Sequence, residues 1–226
     1  MLRLQDHRTG QALELPPSTL HVHVHAGRER ALVTADLLRR LAERSRRRVA
    51  LTRAARVRPH ADFAELNLPE VEVAAAADVP GNAIWVGSED VPERRCLIVP
   101  PERYAWAELV ESTSADPLSV RLAILRERYR DPDAMDGDLV AGAGGDLAHW
   151  RESMAEWATE PGRPLDRAYA AEAEAALADD LDSPTALAVL DDLTADPQVE
   201  PGAKVETVIH LDLVLGLDLV SEIGRA

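Results

Sequence analysis

Three histidines near the start of the chain are the first side chains in this sequence that are suited to chemistry. His21, His23 and His25 alternate with valines, which places all three imidazoles on one face of a predicted strand. Imidazoles in that arrangement can bind zinc, although an ordinary half-exposed strand has the same pattern. Because no second type of ligand follows nearby, we expect no metal site here.

The strand pattern ends at Gly27, and from Arg28 onwards apolar residues recur at helical spacing. A strand, a glycine turn and a helix form the first part of a nucleotide-binding α/β unit, in which the helix N-terminus faces an anion. His25, Gly27 and Arg28 are therefore the candidate phosphate-binding residues, and no catalytic residue is assigned beyond this turn. A turn that keeps its shape without a ligand would show the same pattern.

Two residue counts restrict the chemistry further. Cys96 is the only cysteine, which excludes an internal disulfide and a multi-cysteine zinc site, and its apolar neighbours indicate a buried thiol. Lys204 is the only lysine, so 24 of the 25 basic residues are arginine. A mechanism that needs a mobile pair of lysines has no residues to use.

The aspartates between Asp131 and Asp138 lack the spacing of a calcium loop and predict a solvated turn.

Charge is distributed unevenly along the chain, whose formal net charge is −15. Residues 28–58 contain eleven arginines against three acidic residues, a local charge of +8. Residues 131–226 contain five basic residues against twenty-two acidic ones, a local charge of −17. The basic segment could attract a phosphate-bearing partner, or it could pair with the acidic half, within one chain or across a homodimer. The acidic half disfavours a broad nucleic-acid surface.

Length and composition indicate a folded protein. The chain has 226 residues, 46% of them hydrophobic, which is enough for one large domain or two small domains with cores. The first residues are charged from position three, and no apolar run approaches the length of a membrane span. We therefore expect a cytoplasmic protein that has no membrane partner.

The elements that position the candidate residues divide into two parts near residue 112. Residues 1–112 are predicted to form an α/β domain that resembles a degenerate nucleotide-binding domain. Residues 113–226 are predicted to form a helical domain. The predicted fold class is α/β: a reduced Rossmann-like parallel sheet unit followed by a C-terminal α-helical bundle. The predicted strands lie at 2–6, 20–25, 49–54, 83–86 and 96–99. The predicted helices lie at 28–45, 104–111, 117–129, 138–158, 166–181, 184–193 and 203–215.

Several stretches resemble the cysteinyl-tRNA synthetases and, more closely, the mycothiol-pathway cysteine ligases, which are similar to class I synthetases. HAGR at His25–Arg28 is similar to the HIGH signature of that family, and the helix after it also resembles theirs. In the second half, three stretches resemble family helices. They are SADPLSVRLAILRERYRD at 114–131, LADDLDSPTALAVLDDL at 177–193 and AKVETVIHLDLVLGLDL at 203–219.

The active-site residues depart from the family pattern. The zinc-ligand cysteine that precedes HIGH in the family has no counterpart, and Arg28 stands in place of the second histidine. The lysine-bearing KMSKS loop is expected near Cys96–Pro100, where the sequence is CLIVP. The segment IWVGSED at 84–90 is the nearest remnant of the stretch that supplies the other zinc ligands. Much of the insert between the two sheet halves is also missing.

The resemblance implies ATP-dependent activation of cysteine to an acyl-adenylate, in which imidazoles and lysines stabilise charge on the triphosphate. Losing one such electrostatic group costs about 10²–10³ in rate. We therefore expect a truncated, non-catalytic relative that needs no cofactor and binds a full-length synthetase, a tRNA or a second copy of itself. The alternative is an ATP-dependent cysteine ligase in which Arg28 and other arginines replace the missing groups. ATP is then its cofactor, and zinc is not expected in either case.

Overall fold

The computed structural model describes residues 2–15, 19–104, 109 and 116–225 of the chain. The predicted domain boundary near residue 112 falls outside these residues, so the division into two domains stays a prediction. Most of the helix predicted at 104–111, including Trp106, also lies outside them. The rest of the predicted elements can be compared with the structure.

The described strands form two sheets. β1 (Arg3–Gln5) and β2 (Ala12–Glu14) make an antiparallel hairpin, of which only the first strand is predicted from the sequence. The second sheet is parallel throughout and has the order β5-β4-β3-β6-β7. Its strands are β3 (Leu20–Val24), β4 (Val49–Arg53), β5 (Glu72–Val73), β6 (Ile84–Gly87) and β7 (Arg95–Ile98). The first strand of this sheet in the sequence lies at its centre, as in a Rossmann fold, which confirms the Rossmann-like prediction.

The described residues contain six α-helices, in agreement with the predicted bundle. They are α1 (Glu29–Arg44), α2 (Pro117–Leu125), α3 (Gly137–Trp157), α4 (Arg167–Ala178), α5 (Ser183–Ala195) and α6 (Pro201–Leu215). Four of them begin after an aspartate whose carboxylate accepts a backbone N–H of the first turn: Asp116, Asp136, Asp166 and Asp182. The prediction that Ser183 caps α5 is wrong, because Asp182 does so. Within the described residues, no helix combines the length and apolar character of a membrane span.

One hydrophobic cluster joins the parallel sheet to the helices. Val22 and Ile84 on the sheet, Leu38 on α1, Leu122 on α2 and Leu190 on α5 all belong to it, and each is almost completely buried. The helical residues come from elements whose apolar positions recur with helical spacing, so each helix can direct one apolar face inwards. The sheet therefore rests on α1, and α1 in turn rests on the helical half.

A buried ion pair fixes how α1 meets the helical half. Arg121 on α2 is fully buried, and its Nη2 lies 2.8 Å from Oδ2 of the equally buried Asp36 on α1. The same guanidinium donates to the carbonyl oxygens of Leu66, at 2.9 Å, and Leu215, at 2.7 Å. Burial alone would raise the pKa of the Asp36 carboxyl, but the guanidinium groups of Arg121, Arg40 and Arg39 lower it below its ordinary value. One side chain thus ties four segments together.

A short connection joins the two halves of the parallel sheet. Residues 74–83 join β5 to β6 and contain only one 3-10 turn, Ala76–Asp78. Val79 and Ala83 of this connection pack on Trp85 and Cys96, which project from the sheet face opposite to α1. The segment interpreted as a zinc-ligand remnant, 84–90, begins with β6, a buried strand beside the centre of the sheet.

Candidate functional site

The carboxyl ends of β3 and β6 are where the topology predicts a ligand. The chain leaves β3 towards β4 on one side of the sheet, whereas β6 pairs with β3 on the other side. In open α/β sheets, this reversal of strand order creates a crevice in which ligands bind. The segment His25–Arg28 follows β3, and Gly87 is the last residue of β6. The predicted site residues therefore lie at this crevice.

Gly27 makes the turn from β3 into α1. Its φ is +95°, in the left-handed region that favours glycine over any residue with a Cβ atom. The turn brings the first N–H groups of α1 to the crevice, where a helix N-terminus attracts an anion. The strand, glycine turn and helix predicted from the sequence are therefore present.

The anion at the start of α1 is a carboxylate of the chain itself. Oε1 of Glu102 accepts the backbone N–H of Arg28, with an N···O distance of 3.2 Å, and that of Arg30, at 2.8 Å. Glu102 lies in the loop after β7, more than seventy residues away in sequence. Burial raises the pKa of the Glu102 carboxyl, and these N–H donors act against the rise. Sequence reasoning missed this residue, since only its position after the last strand could have indicated it.

His25 does not face the start of α1. Its Nε2 lies 2.8 Å from the carbonyl oxygen of Glu89. The ring proton is therefore on Nε2, which donates a hydrogen bond to that oxygen. The side chain is buried against Trp85, with ring centroids 5.6 Å apart, and among the described residues Nδ1 has no hydrogen-bond partner. Burial lowers the pKa of His25, which keeps the imidazole neutral. A neutral, buried ring supplies no positive charge to a phosphate.

Arg28 divides its contacts between two places. Its backbone N–H points to Glu102, but its Nη1 lies 3.1 Å from Nε2 of His60. His60 is held from the other side by Glu29, whose Oε1 lies 3.2 Å from Nδ1 of His60 and also accepts the backbone N–H of that residue. Of the three predicted residues, the structure thus brings Gly27 and the Arg28 backbone together and directs the His25 ring elsewhere.

The loops on the two sides of the crevice are in direct contact. A Cβ atom on Gly87 would lie 2.6 Å from the carbonyl oxygen of Ala26 and 2.8 Å from its nitrogen. Both neighbours are backbone atoms, which cannot move away independently of the strand. The crevice is therefore closed at this point by the contact between Gly87 and Ala26.

Replacing Gly87 with alanine should destabilise the chain by about 1–3 kcal/mol, because the new methyl group forces β3 and β6 apart. The free energy of unfolding in urea, followed by circular dichroism, measures the effect. Gly142→Ala is the matched control, since apart from its chain neighbours and the local backbone of α3 no described atom lies within 4 Å of its Cβ position. This control should gain about 0.5–1 kcal/mol from better helix propensity. Equal stabilities of the Gly87→Ala variant and the wild type would contradict the close contact.

Comparison with known proteins gives this geometry a family context. No family model matches the chain. It is 36% identical over 109 residues to the L-cysteine:1D-myo-inositol 2-amino-2-deoxy-alpha-D-glucopyranoside ligase of Streptosporangium roseum, a match that covers 46% of this chain and 26% of that protein. The ligase of the same name from Geodermatophilus obscurus is 39% identical over 111 residues, which cover 46% of this chain and 25% of the relative. The ligase of the same name from Acidothermus cellulolyticus is 34% identical over 108 residues, which cover 48% of this chain and 26% of that relative.

This chain is a homologue of the mycothiol-pathway cysteine ligases over about half of its length. The predicted resemblance is confirmed to that extent. The match spans only about a quarter of each of these curated relatives.

The ligase-like chain shows no metal centre in its described part. Those residues contain no group of three or more histidine, cysteine or acidic side chains that could hold a metal ion. His23 and His25 are buried, and Nδ1 of His23 lies 2.9 Å from the hydroxyl oxygen of Thr52. Cys96 is buried as predicted, and burial raises the pKa of its thiol, which makes the thiol a poor nucleophile.

The C-terminal stretches that carry the family resemblance have structural roles here. Asp180, in the DDLDSP turn, accepts the backbone N–H of Gln5 with an N···O distance of 2.6 Å and the hydroxyl of Tyr129 at 3.0 Å. It also forms an ion pair with Arg130. These contacts join the turn before α5 to the β1–β2 hairpin and to the loop after α2. The DDLDSP turn therefore has a structural role in this chain.

Many arginines of the basic segment are paired within the chain. Arg39 and Arg40 both contact Asp36, and Arg44 lies 3.5 Å from Glu174 on α4. Arg46 and Arg48 are exposed, and no described carboxylate lies within ion-pair distance of either. The unpaired positive charge at the end of α1 is thus confined to a small surface.

Proposed function

We propose that this ligase-like chain is non-catalytic and acts by binding a macromolecular partner. The observation that carries the proposal is the position of Glu102 on the first N–H groups of α1. An adenylate-forming catalyst of this family would need that helix start for a triphosphate. A carboxylate already placed there occupies the donors and repels an incoming phosphate.

The negative charge of Glu102 opposes phosphate binding in addition to its position at the start of α1. The resemblance places the KMSKS lysines near Cys96–Pro100, where the structure has most of β7 and the first residues after it, and the loop that follows supplies Glu102. Two like unit charges about 4 Å apart repel by about 4 kcal/mol at an effective dielectric constant of 20. That energy corresponds to roughly a thousandfold loss in affinity. A carboxylate at this helix start therefore opposes phosphate binding more strongly than the lack of a lysine alone.

The partner we propose is a protein, either a full-length synthetase or a second copy of this chain. A tRNA would need several unpaired cationic side chains to neutralise its phosphates. Five of the eleven arginines of this segment form ion pairs with carboxylates in the described part of the chain. The exposed arginines without such a pair are divided between the two ends of the parallel sheet, with Arg28 and Arg58 at one end and Arg46 and Arg48 at the other. Sedimentation of the chain alone, and mixed with a full-length relative, would test both protein partners. Binding to tRNA but to neither protein would contradict this choice.

The absence of catalysis is tested by ATP–pyrophosphate exchange in the presence of cysteine. We expect no exchange above background, because Glu102 blocks the helix start and the loop after β7 has no lysine. The full-length ligase of Streptosporangium roseum, assayed in parallel, is the positive control. Glu102→Gln removes the repulsion but supplies no lysine, so it should also show no exchange. Exchange by the wild type would overturn the proposal.

A ligase that uses arginine is the second candidate, and the position of Arg28 favours it. The side chain of Arg28 is exposed beside the helix start, where a guanidinium could meet a phosphate. In this case the wild type should bind ATP in calorimetry, and Arg28→Ala should abolish adenylate formation. No heat of binding with ATP would rule this candidate out.

A further inference from the structure

A separate cleft lies beside the crevice, at the carboxyl ends of β4 and β5. It is an open cleft of about 360 Å³, a volume in the range of small-molecule sites. Its walls include Arg53, Arg58, His60, Phe63 and Val73. Glu102 and Gly87, which fill and close the crevice between β3 and β6, are not among the residues that line this cleft. The cleft is therefore open to a ligand even if the crevice is not.

His60 is held in this cleft by a buried carboxylate. Glu29 is 1% exposed, and its Oε1 lies 3.2 Å from Nδ1 of His60 while also accepting the backbone N–H of His60. This arrangement places the ring proton on Nδ1 and leaves Nε2 to accept from Arg28. The imidazole itself is 40% exposed. A buried group that fixes an exposed ring from behind is a feature of built sites.

Positive charge and apolar surface meet at the same cleft. Arg58 is exposed, and its one hydrogen bond is from Nε to the carbonyl oxygen of Ala55, at 3.4 Å. No carboxylate in the described part of the chain lies within ion-pair distance of Arg58. The guanidinium of Arg53 lies 5.5 Å from the centre of the Phe63 ring, and Val73 is 49% exposed. Among the described residues that line the cleft, the only acidic one is Asp62, which precedes the 3-10 turn Phe63–Leu66.

We propose that this cleft binds a small anion with an apolar or aromatic body. Arg58 supplies donors for a phosphate or carboxylate group, and Phe63 and Val73 cover the apolar part. Glu29 is a positioning residue, because it fixes the ring of His60 and makes no contact with the ligand. The inference goes beyond the proposed function, since it concerns a different site and holds whether or not the chain activates cysteine.

Phenyl phosphate is the probe, titrated into the full chain and followed by NMR chemical shifts. We expect saturable binding, at least about tenfold weaker binding of inorganic phosphate, and no saturation with benzyl alcohol. Arg58→Gln should weaken the binding of phenyl phosphate by at least about tenfold. Arg48→Gln is the matched control, because Arg48 is also exposed but precedes the opposite end of β4. This control should bind like the wild type.

Three outcomes would overturn the inference: no saturable shift with phenyl phosphate, equal weakening by Arg58→Gln and Arg48→Gln, or equally tight binding of inorganic phosphate. Both substitutions are on exposed side chains, so loss of folding does not confuse the comparison. ATP–pyrophosphate exchange provides the separate test of the proposed function, so the two ideas can fail independently.

Discussion

Replacing Arg121 with methionine should lower the free energy of unfolding by about 3–5 kcal/mol, the largest effect expected of any single substitution considered. The guanidinium is fully buried and is the hydrogen-bond donor for Asp36 and for the carbonyl oxygens of Leu66 and Leu215. Methionine fills a similar volume but donates no hydrogen bond. It therefore leaves two buried carbonyl groups without a donor and removes one cation from the Asp36 carboxylate.

Urea unfolding followed by circular dichroism measures this loss. Arg163→Met is the matched control, since Arg163 is 52% exposed and its ion pair with Glu200 lies in solvent. An exposed pair of this kind contributes at most about 1 kcal/mol. If both variants lost the same stability, the buried network would not hold α1 against the helical half in the way described. The expected difference between them is several kcal/mol, well above the error of the measurement.

His23 should make the protein lose about 3 kcal/mol of stability as the pH falls from about 7.5 to about 4. Burial, and to a lesser extent repulsion from His25 when His25 is protonated, lowers the pKa of His23 from 6.5 to about 4 in the folded state. Between those values the unfolded state binds the proton more readily than the folded state. The contribution of His23 is therefore complete above pH 6.5 and is lost as the pH falls towards about 4.

The measurement is the free energy of urea unfolding over a series of pH values. His23→Asn removes the titrating group and keeps a polar atom near the hydroxyl of Thr52. The stability of this variant should depend on pH less steeply than that of the wild type. His149→Asn, at an exposed position on α3, is the control and should follow the wild type. Parallel curves for the wild type and His23→Asn would show that burial of His23 does not destabilise its protonated form.

These two predictions concern residues whose importance the sequence did not reveal. Arg121 is one arginine among many in the sequence, and His23 is one of three alternating histidines. Their roles depend on partners that lie far away in the chain: Arg121 meets Asp36 across 85 residues. Hydropathy periodicity locates an element, but it does not state which element lies opposite.

The elements themselves were predictable because their signals are local. The alternation of His and Val located β3, a glycine marked the turn, and apolar residues at helical spacing located α1. The α3 helix, predicted at 138–158, runs continuously through three glycines. The helix propensity lost at those glycines is offset by packing of buried residues such as Leu147 and Trp150.

The sequence by itself thus determined the strand, glycine turn and helix, the bundle that follows, the absence of lysine from the loop after β7, and the similarity to the ligases. Only the tertiary structure decided that Glu102 occupies the start of α1, that His25 turns towards Glu89, and that a cleft forms around His60. The physical reason is the range of the interactions. Backbone periodicity and helix capping act over a few residues, whereas the occupant of a helix start and the direction of a buried ring depend on non-local packing.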